Sequence, residues 1–180
     1  MNKDINYTLT TAFLLLLGVI LYYTYIRDSK LYFGSYNNSE HSFSISGKAH
    51  IIDGDSVKIN NYEIRLIDID APEYKQTCYN SSNKVYNCGK LALKFLRNQT
   101  NNKNIKCNIN GKDYYSRFLA TCYILDVNLN SLMVENGWAI NYSSSNKYYN
   151  KELLAKKNKI GLWQGDFITP RQYRKLNPRF

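Results

Sequence analysis

Residues 51–73 read IIDGDSVKINNYEIRLIDIDAPE, the densest group of carboxylates in the chain. Asp53-Gly54-Asp55 precedes one apolar alternation, and Arg65 opens a run that ends in Asp68, Asp70 and Glu73. Singly, each has a plain structural reading. D-G-D is a turn sequence, and Asp68 and Asp70 alternate with Ile67 and Ile69 like the polar face of a half-buried strand. Together they point to chemistry. If 51–60 and 62–69 pair as a hairpin, Asp55 and Asp70 both approach the strand ends, with Glu73 just beyond. Three carboxylates on one edge repel one another unless a cation offsets them. Hard divalent cations take oxygen ligands, and calcium completes its shell with backbone carbonyls and water. A site with only two carboxylates would bind calcium loosely and leave room for phosphate oxygens. Arginines, which grip phosphate bidentately, complete a set suited to phosphodiester cleavage.

Several elements must hold these groups. FSISGKAHII (43–52), SVKIN (56–60) and YEIRLIDI (62–69) alternate as strands do, with Asn60-Asn61 as a tight turn because Asn tolerates positive φ. GKLALKFLRNQT (89–100) pairs Leu91 with Phe95 and Ala92 with Leu96 at helical spacing. NIKCNI and RFLATCYIL predict two more strands joined around GKDYYS, and SLMVENG (131–137) and YYNKELLAKKNKIG (148–161) predict helices stopped by glycine. About five short strands with helices between them predict an α+β chain, mainly β: a five-stranded barrel of the OB type with about three helices. The domain expected is 43–170, after a linker at 31–42 and before a basic tail at 171–180.

The composition agrees with one folded domain on a tether. The chain has 180 residues, 44% hydrophobic and 14% aromatic, enough for a core and against intrinsic disorder. Three prolines and nine glycines exclude collagen-like and linker-like chains. The formal net charge is +10. Residues 1–30 contribute Lys3, Arg27 and Lys30 against Asp4 and Asp28, so basicity belongs to the rest of the chain, where it predicts a polyanionic partner.

From Leu9 to Ile26 no residue is charged. With ~20 apolar residues needed to cross the hydrocarbon, this run predicts a single N-terminal membrane anchor over 1–30, with Tyr22, Tyr23 and Tyr25 at an interface. A cleaved signal peptide is the alternative, although no A-x-A-like site follows; a buried core helix is the third. Flanking charges do not set the orientation. Four cysteines follow: Cys78, Cys88, Cys107 and Cys122. Three pairings are possible. Cys78 and Cys88 flank a polar loop they could close, and Cys107 and Cys122 lie about equally far from a hairpin tip near Tyr114. Zinc is disfavoured, since no CxxC occurs and His41 and His50 lie far upstream. Behind an export-type segment, two disulfides outside the cytoplasm are the preferred reading, with four reduced thiols as the alternative.

The motifs themselves resemble the thermonuclease, or staphylococcal nuclease-like, family. Ile52-Asp53-Gly54-Asp55-Ser56-Val57 carries the resemblance, with Arg65-Leu66 through Asp70-Ala71-Pro72-Glu73 and Asp113-Tyr114-Tyr115-Ser116-Arg117 with Leu119-Ala120. Val134 through Ala139 and Gly161-Leu162-Trp163 extend it, so that it runs from about residue 45 to 170. Thr77-Cys78 with Cys88-Gly89 resembles exported bacterial members. The resemblance implies Asp55 and Asp70 as calcium ligands, with the backbone carbonyl of Ala71. It implies Arg65 and Arg117 as clamps on the scissile phosphate and Glu73 as the residue that orients or deprotonates the attacking water. Tyr115, Tyr142 and Asp113 fall at the nucleic-acid contact. The implied activity is calcium-dependent hydrolysis of DNA and RNA with little sequence preference, leaving 3′-phosphates, by a monomer tethered at the membrane with its nuclease domain on the extracytoplasmic side, or secreted after cleavage. Ser56, Ala71 and Tyr114-Tyr115-Ser116 depart from the commoner family residues. The competing function is a non-catalytic OB-type module that binds single strands.

Overall fold

The computed structural model describes residues 15–25, 43–142 and 144–178. Contacts divide the chain into two units, Met1–His41 and Ser42–Phe180. In the first, residues 15–25 form a helix, α1, with Leu15, Leu16, Val19, Ile20 and Leu21 exposed. Among the described residues no helix is long and apolar enough to cross a membrane. Of the spanning helix expected over 1–30, residues 15–25 are described, and they are helical. The rest of that segment, and the 31–42 linker, lie outside the described residues.

In the second unit β1 (Ser44–Ile51), β2 (Ser56–Ile59) and β3 (Tyr62–Leu66) form an antiparallel meander. Asn60 sits at φ 53° in the β2–β3 turn, the left-handed conformation that Asn tolerates. β7 (Asn104–Lys112) pairs with β1, and β8 (Phe118–Ile124) returns antiparallel to β7. A parallel pairing of β3 with β8, Arg65 opposite Leu119, closes these five strands into a barrel, as the alternation predicts. β9 (Val127–Asn128) extends β8.

The barrel interior is apolar because β2, β3, β7 and β8 turn Val57, Ile59, Ile64, Leu66, Ile105 and Ala120 inward, all essentially inaccessible. Each fully buried Val or Ile contributes roughly 1.5–3 kcal/mol relative to an exposed one. α2 (Cys88–Thr100) adds Ala92 and Leu96 to that core, and α3 (Leu129–Glu135) adds Leu129 and Met133. Both expected disulfides are present: Cys107–Cys122 joins directly opposed residues of β7 and β8, and Cys78–Cys88 joins β5 (Cys78–Tyr79) to the first residue of α2. The short strand β6 (Val85–Tyr86) pairs with β5.

Two elements differ from the sequence-based expectation. The run 62–69 is not one strand: β3 ends at Leu66, Asp68 adopts φ 68°, and β4 (Ile69–Asp70) restarts to pair with β10 (Ile140–Asn141). Beyond α4 (Tyr149–Lys157) and a 3-10 turn (Gly161–Gln164), the second unit has a fourth α-helix, α5 (Pro170–Leu176), inside what reads as a tail. Thr169 caps α5: its hydroxyl accepts from the Gln172 amide at 3.2 Å, while the Gln172 side chain accepts from the Thr169 amide at 2.9 Å.

Candidate active site

Asp55 stands at the start of β2 because the D-G-D turn brings the chain in tightly. A Cβ on Gly54 would meet the Cβ atoms of Ala71 and Ala92 at 2.7 and 3.0 Å, so only glycine fits between β2, α2 and the 71–77 loop. Asp53 shapes the turn by accepting from the Asp55 amide at 3.1 Å. The Asp55 carboxylate is buried and takes donors from Ser56 Oγ at 2.9 Å and the Ala71 amide at 3.1 Å. Across the hairpin, Arg65 pairs in register with Ser56.

Asp70 owes its place to the break after β3. The left-handed Asp68 redirects the chain, and buried Asn130 of α3 pins the turn by donating to the carbonyls of Ile67 at 2.9 Å and Ala120 at 3.1 Å. Asp70 is thereby fully buried, not on the solvent face that simple alternation suggests. Arg65 then bridges the two acids. Its Nη1 donates to Asp55 Oδ1 at 3.1 Å, and its Nη2 lies 3.0 Å from Asp55 Oδ2 and 2.9 Å from Asp70 Oδ1. Two carboxylates thus converge on one nitrogen.

Glu73 follows on a loop held by Gln76. The Gln76 amide donates to the Glu73 carbonyl at 2.8 Å, and the Gln76 side chain accepts from the Glu73 amide at 3.2 Å. Gly89 lets α2 close on this loop, since a side chain there would collide with the Glu73 carbonyl. A residue that sequence reasoning missed completes the cluster. Arg174 of α5 donates from Nη1 to Asp70 Oδ1 at 2.9 Å and to Glu73 Oε1 at 3.1 Å, and from Nη2 to Asp70 Oδ2 at 3.1 Å. Its sequence signal was the Thr169-Pro170-x-Gln172 capping pattern, which predicts a helix rather than a tail.

The electrostatics follow from burial against pairing. Burial pushes the Asp55 carboxyl up to about 7, with Arg65 opposing and Asp53 adding to the rise. Burial also raises Asp70 above the ordinary carboxylate range, although Arg174 and Arg65 pull the other way. Burial works against the charge of Arg65, but Asp55 and Asp70 outweigh it and hold the guanidinium more firmly protonated. Arg174 is held likewise: burial is outweighed by Asp70 and Glu73.

Arg117 is placed differently. It lies just before β8, and its guanidinium is on Asp113, with Nε and Nη2 both 2.8 Å from Oδ2. Asp113 also caps its own loop, accepting from the amides of Tyr115 and Arg117 at 2.9 Å; burial raises its pKa, but the Arg117 guanidinium and these amides outweigh it and lower the pKa. The structure thus gathers Asp55, Arg65, Asp70 and Glu73 and leaves Arg117 with Asp113. Tyr114 and Tyr115, 94% and 76% exposed, present two rings at the tip of this hairpin. Tyr142 is half exposed beside the site, its amide donating to the Asp68 carbonyl at 2.9 Å just beyond the pairing of Ile140 with Asp70.

As a cation site, the set supplies two carboxylates and the backbone around Ala71. Among the described residues no group of three or more His, Cys, Asp and Glu is placed to hold a metal. Two hard oxygen donors converging within bonding distance of one nitrogen do suit a cation that completes its shell with carbonyls and water. A buried acid with a raised pKa is further stabilised as the anion by such a charge.

A closed five-stranded barrel thus carries buried acids and arginines together at its rim. Residues 63–165 match the family described as "Staphylococcal nuclease homologue". The chain belongs to that family. It is 33% identical over 124 residues to "Succinoglycan biosynthesis protein ExoI" of Rhizobium meliloti (strain 1021), covering 67% of this chain and 65% of that protein. It is 33% identical over 142 residues to an "Uncharacterized endonuclease" of Haemophilus influenzae, covering 72% and 74%. With "Probable endonuclease lcl3" of Sclerotinia sclerotiorum it shares 25% over 146 residues, covering 72% and 54%. The chain thus spans just under two thirds of the rhizobial relative and about half of the fungal one.

Proposed function

We propose that this protein is a calcium-dependent endonuclease that hydrolyses phosphodiester bonds of DNA and RNA with little sequence preference and leaves 3′-phosphates. The observation that carries the reading is the convergence of Asp55 and Asp70 on Arg65, with Glu73 on the adjoining loop. Family membership and the endonuclease names of relatives support it. A module that only binds nucleic acid has no use for buried acids at this density.

Asp55, Asp70 and the Ala71 carbonyl would hold the cation, which supplies a Lewis acid against the phosphate oxygens when bound. Arg65, given up by the two acids, turns its fork to the scissile phosphate, and Arg117 reaches it from the Asp113 loop. Both donate to the oxygens on which charge grows in the transition state. Glu73 accepts a proton from the attacking water as the new P–O bond forms. The bond to the 5′ oxygen breaks, and the departing alkoxide takes up a proton from solvent. Tyr115 and Tyr142 stack on or hydrogen-bond to the flanking nucleotides, and Asp113 sets the loop that carries them.

Residues 1–30 are read as a membrane anchor that leaves the domain on the extracytoplasmic side. The uncharged run Leu9–Ile26 and the two disulfides support this. Alkaline extraction of membranes should leave the full-length chain in the pellet; a shortened, soluble chain would replace the anchor with a signal peptide. The activity is tested on single-stranded DNA with calcium and then with excess chelator. Chelator-sensitive cleavage leaving 3′-phosphates is the expected result. A folded chain that binds the strand without cutting it would leave the binding module in its place.

A further inference from the structure

Arg174 lies 104 positions after Asp70 in the chain, in a helix of seven residues, yet it makes three hydrogen bonds to the acids of the site. Its neighbours Arg171 and Lys175 face solvent. The docking of α5 is built for this. Pro170 at its first turn is buried, the Thr169–Gln172 capping box sets where it starts, and the Gln76 side chain donates to the Ile168 carbonyl at 2.8 Å one residue before the cap. Gln76 also holds the Glu73 amide, so one buried side chain ties the loop bearing Glu73 to the segment that launches Arg174.

The charges show what this achieves. With all three ionised, Asp55, Asp70 and Glu73 would carry three negative charges against two from Arg65 and Arg174, leaving one for a cation to meet. Because a single nitrogen of Arg174 touches both Asp70 Oδ1 and Glu73 Oε1, those oxygens can be no farther apart than the two bonds allow, 2.9 and 3.1 Å. Arg65 and Arg174 therefore divide the work: Arg65 faces both candidate cation ligands, whereas Arg174 joins Asp70 to Glu73.

We propose that Arg174 is a positioning residue of the hydrolytic site, holding the Glu73 carboxylate beside Asp70 where it can take the proton of the attacking water. This rests on the functional reading above. Since three of its five N–H donors are engaged by protein carboxylates, its loss falls mainly on turnover rather than on substrate binding. A misplaced reacting group costs up to about a hundredfold in rate.

The test uses the full chain in wild-type form and as Arg174→Ala, with Arg171→Ala as a control on the same helix and circular dichroism to confirm folding. Arg174→Ala is expected to lose about tenfold or more in kcat, with KM changed less than about threefold. Added guanidinium ion at millimolar concentration should restore part of that kcat, whereas Arg171→Ala needs no restoration. Calcium affinity by calorimetry should be unchanged or tighter, because a neighbouring positive charge has been removed. If Arg174→Ala is unfolded, Arg174→Lys replaces it: one ammonium cannot reproduce the fork and is expected to show the same kcat loss. Unchanged kcat, a loss confined to KM, absence of guanidinium rescue, or a calcium affinity weakened enough to explain the loss would each overturn the inference. If the wild-type chain itself fails to cleave, the functional reading falls, and this inference with it.

Discussion

Gln76, fully buried, donates from its side-chain nitrogen to the carbonyl of Ile168, 92 positions later in the chain. The same side chain accepts from the Glu73 amide through its oxygen. A loop that carries an acid and a helix that carries an arginine are thus held in one frame by a residue with no charge of its own.

Gln76→Ala should remove both bonds and leave a part-buried amide and a part-buried carbonyl without these partners. Each such loss costs about 1 kcal/mol. Urea unfolding should show a drop of that order, and kcat measured well below the midpoint should fall further than the unfolded fraction explains. Stability equal to wild type would mean that water replaces the side chain.

Glu73→Gln keeps the shape and removes the basic oxygen. General-base groups contribute typically about 10²–10⁴-fold, so turnover should fall within that range while nucleic-acid binding in calcium persists. Turnover near the wild-type value would take Glu73 out of the proton transfer.

Arg65→Ala leaves Asp55 and Asp70 facing each other without their shared partner, Arg174 still pairing with Asp70. Breaking a buried ion pair by removing one partner costs about 3–5 kcal/mol. The figure here should sit at the low end, because the Arg65 side chain keeps 19% of its surface exposed. Thermal melts without metal should show the loss, and calcium should restore more stability to this variant than to wild type.

Asp55 makes the metal-free protein sensitive to pH. Its folded pKa, about 7, lies above the unfolded value near 3.8, so between these values the folded state binds more protons than the unfolded one. Stability from this group is complete below pH ~4 and falls as pH rises through about 7. Asp55→Asn should flatten that decline. Calcium must displace the proton, so its affinity should rise with pH up to about 7 and level off above. A calcium affinity independent of pH between 5 and 7 would argue that Asp55 is not a ligand.

Cys107–Cys122 closes a loop of 15 residues between β7 and β8. Replacing both by Ser should cost about 3 kcal/mol, through the freedom returned to the unfolded chain. Denaturant midpoints with and without reductant should differ less for the variant, which keeps Cys78–Cys88, than for wild type.

Much of the site could be read along the chain because its parts lie close together there. Asp55, Arg65, Asp70 and Glu73 fall within one hairpin and its following loop, and strand alternation with a turn at Asn60 is enough to bring them near. The barrel strands were likewise legible from their period of two. The particular pairing that closes the barrel was not, since the parallel register of β3 with β8 depends on how the whole sheet twists. Three decisions were tertiary. Alternation alone makes Asp70 a solvent-facing residue, and it became fully buried only because Asp68 takes a left-handed turn that Asn130 pins from α3. Gln76 looks like any loop polar residue until Ile168 arrives above it. Arg174 reads as one cation among several in a basic tail, and only the docking of α5 selects it over Arg171 and Lys175 to meet Asp70 and Glu73. Short-range order follows from local backbone preference and side-chain period, which act within a few residues. Which distant side chain meets a buried charge is settled by burial itself, because an acid removed from water must find its partners wherever the fold brings them.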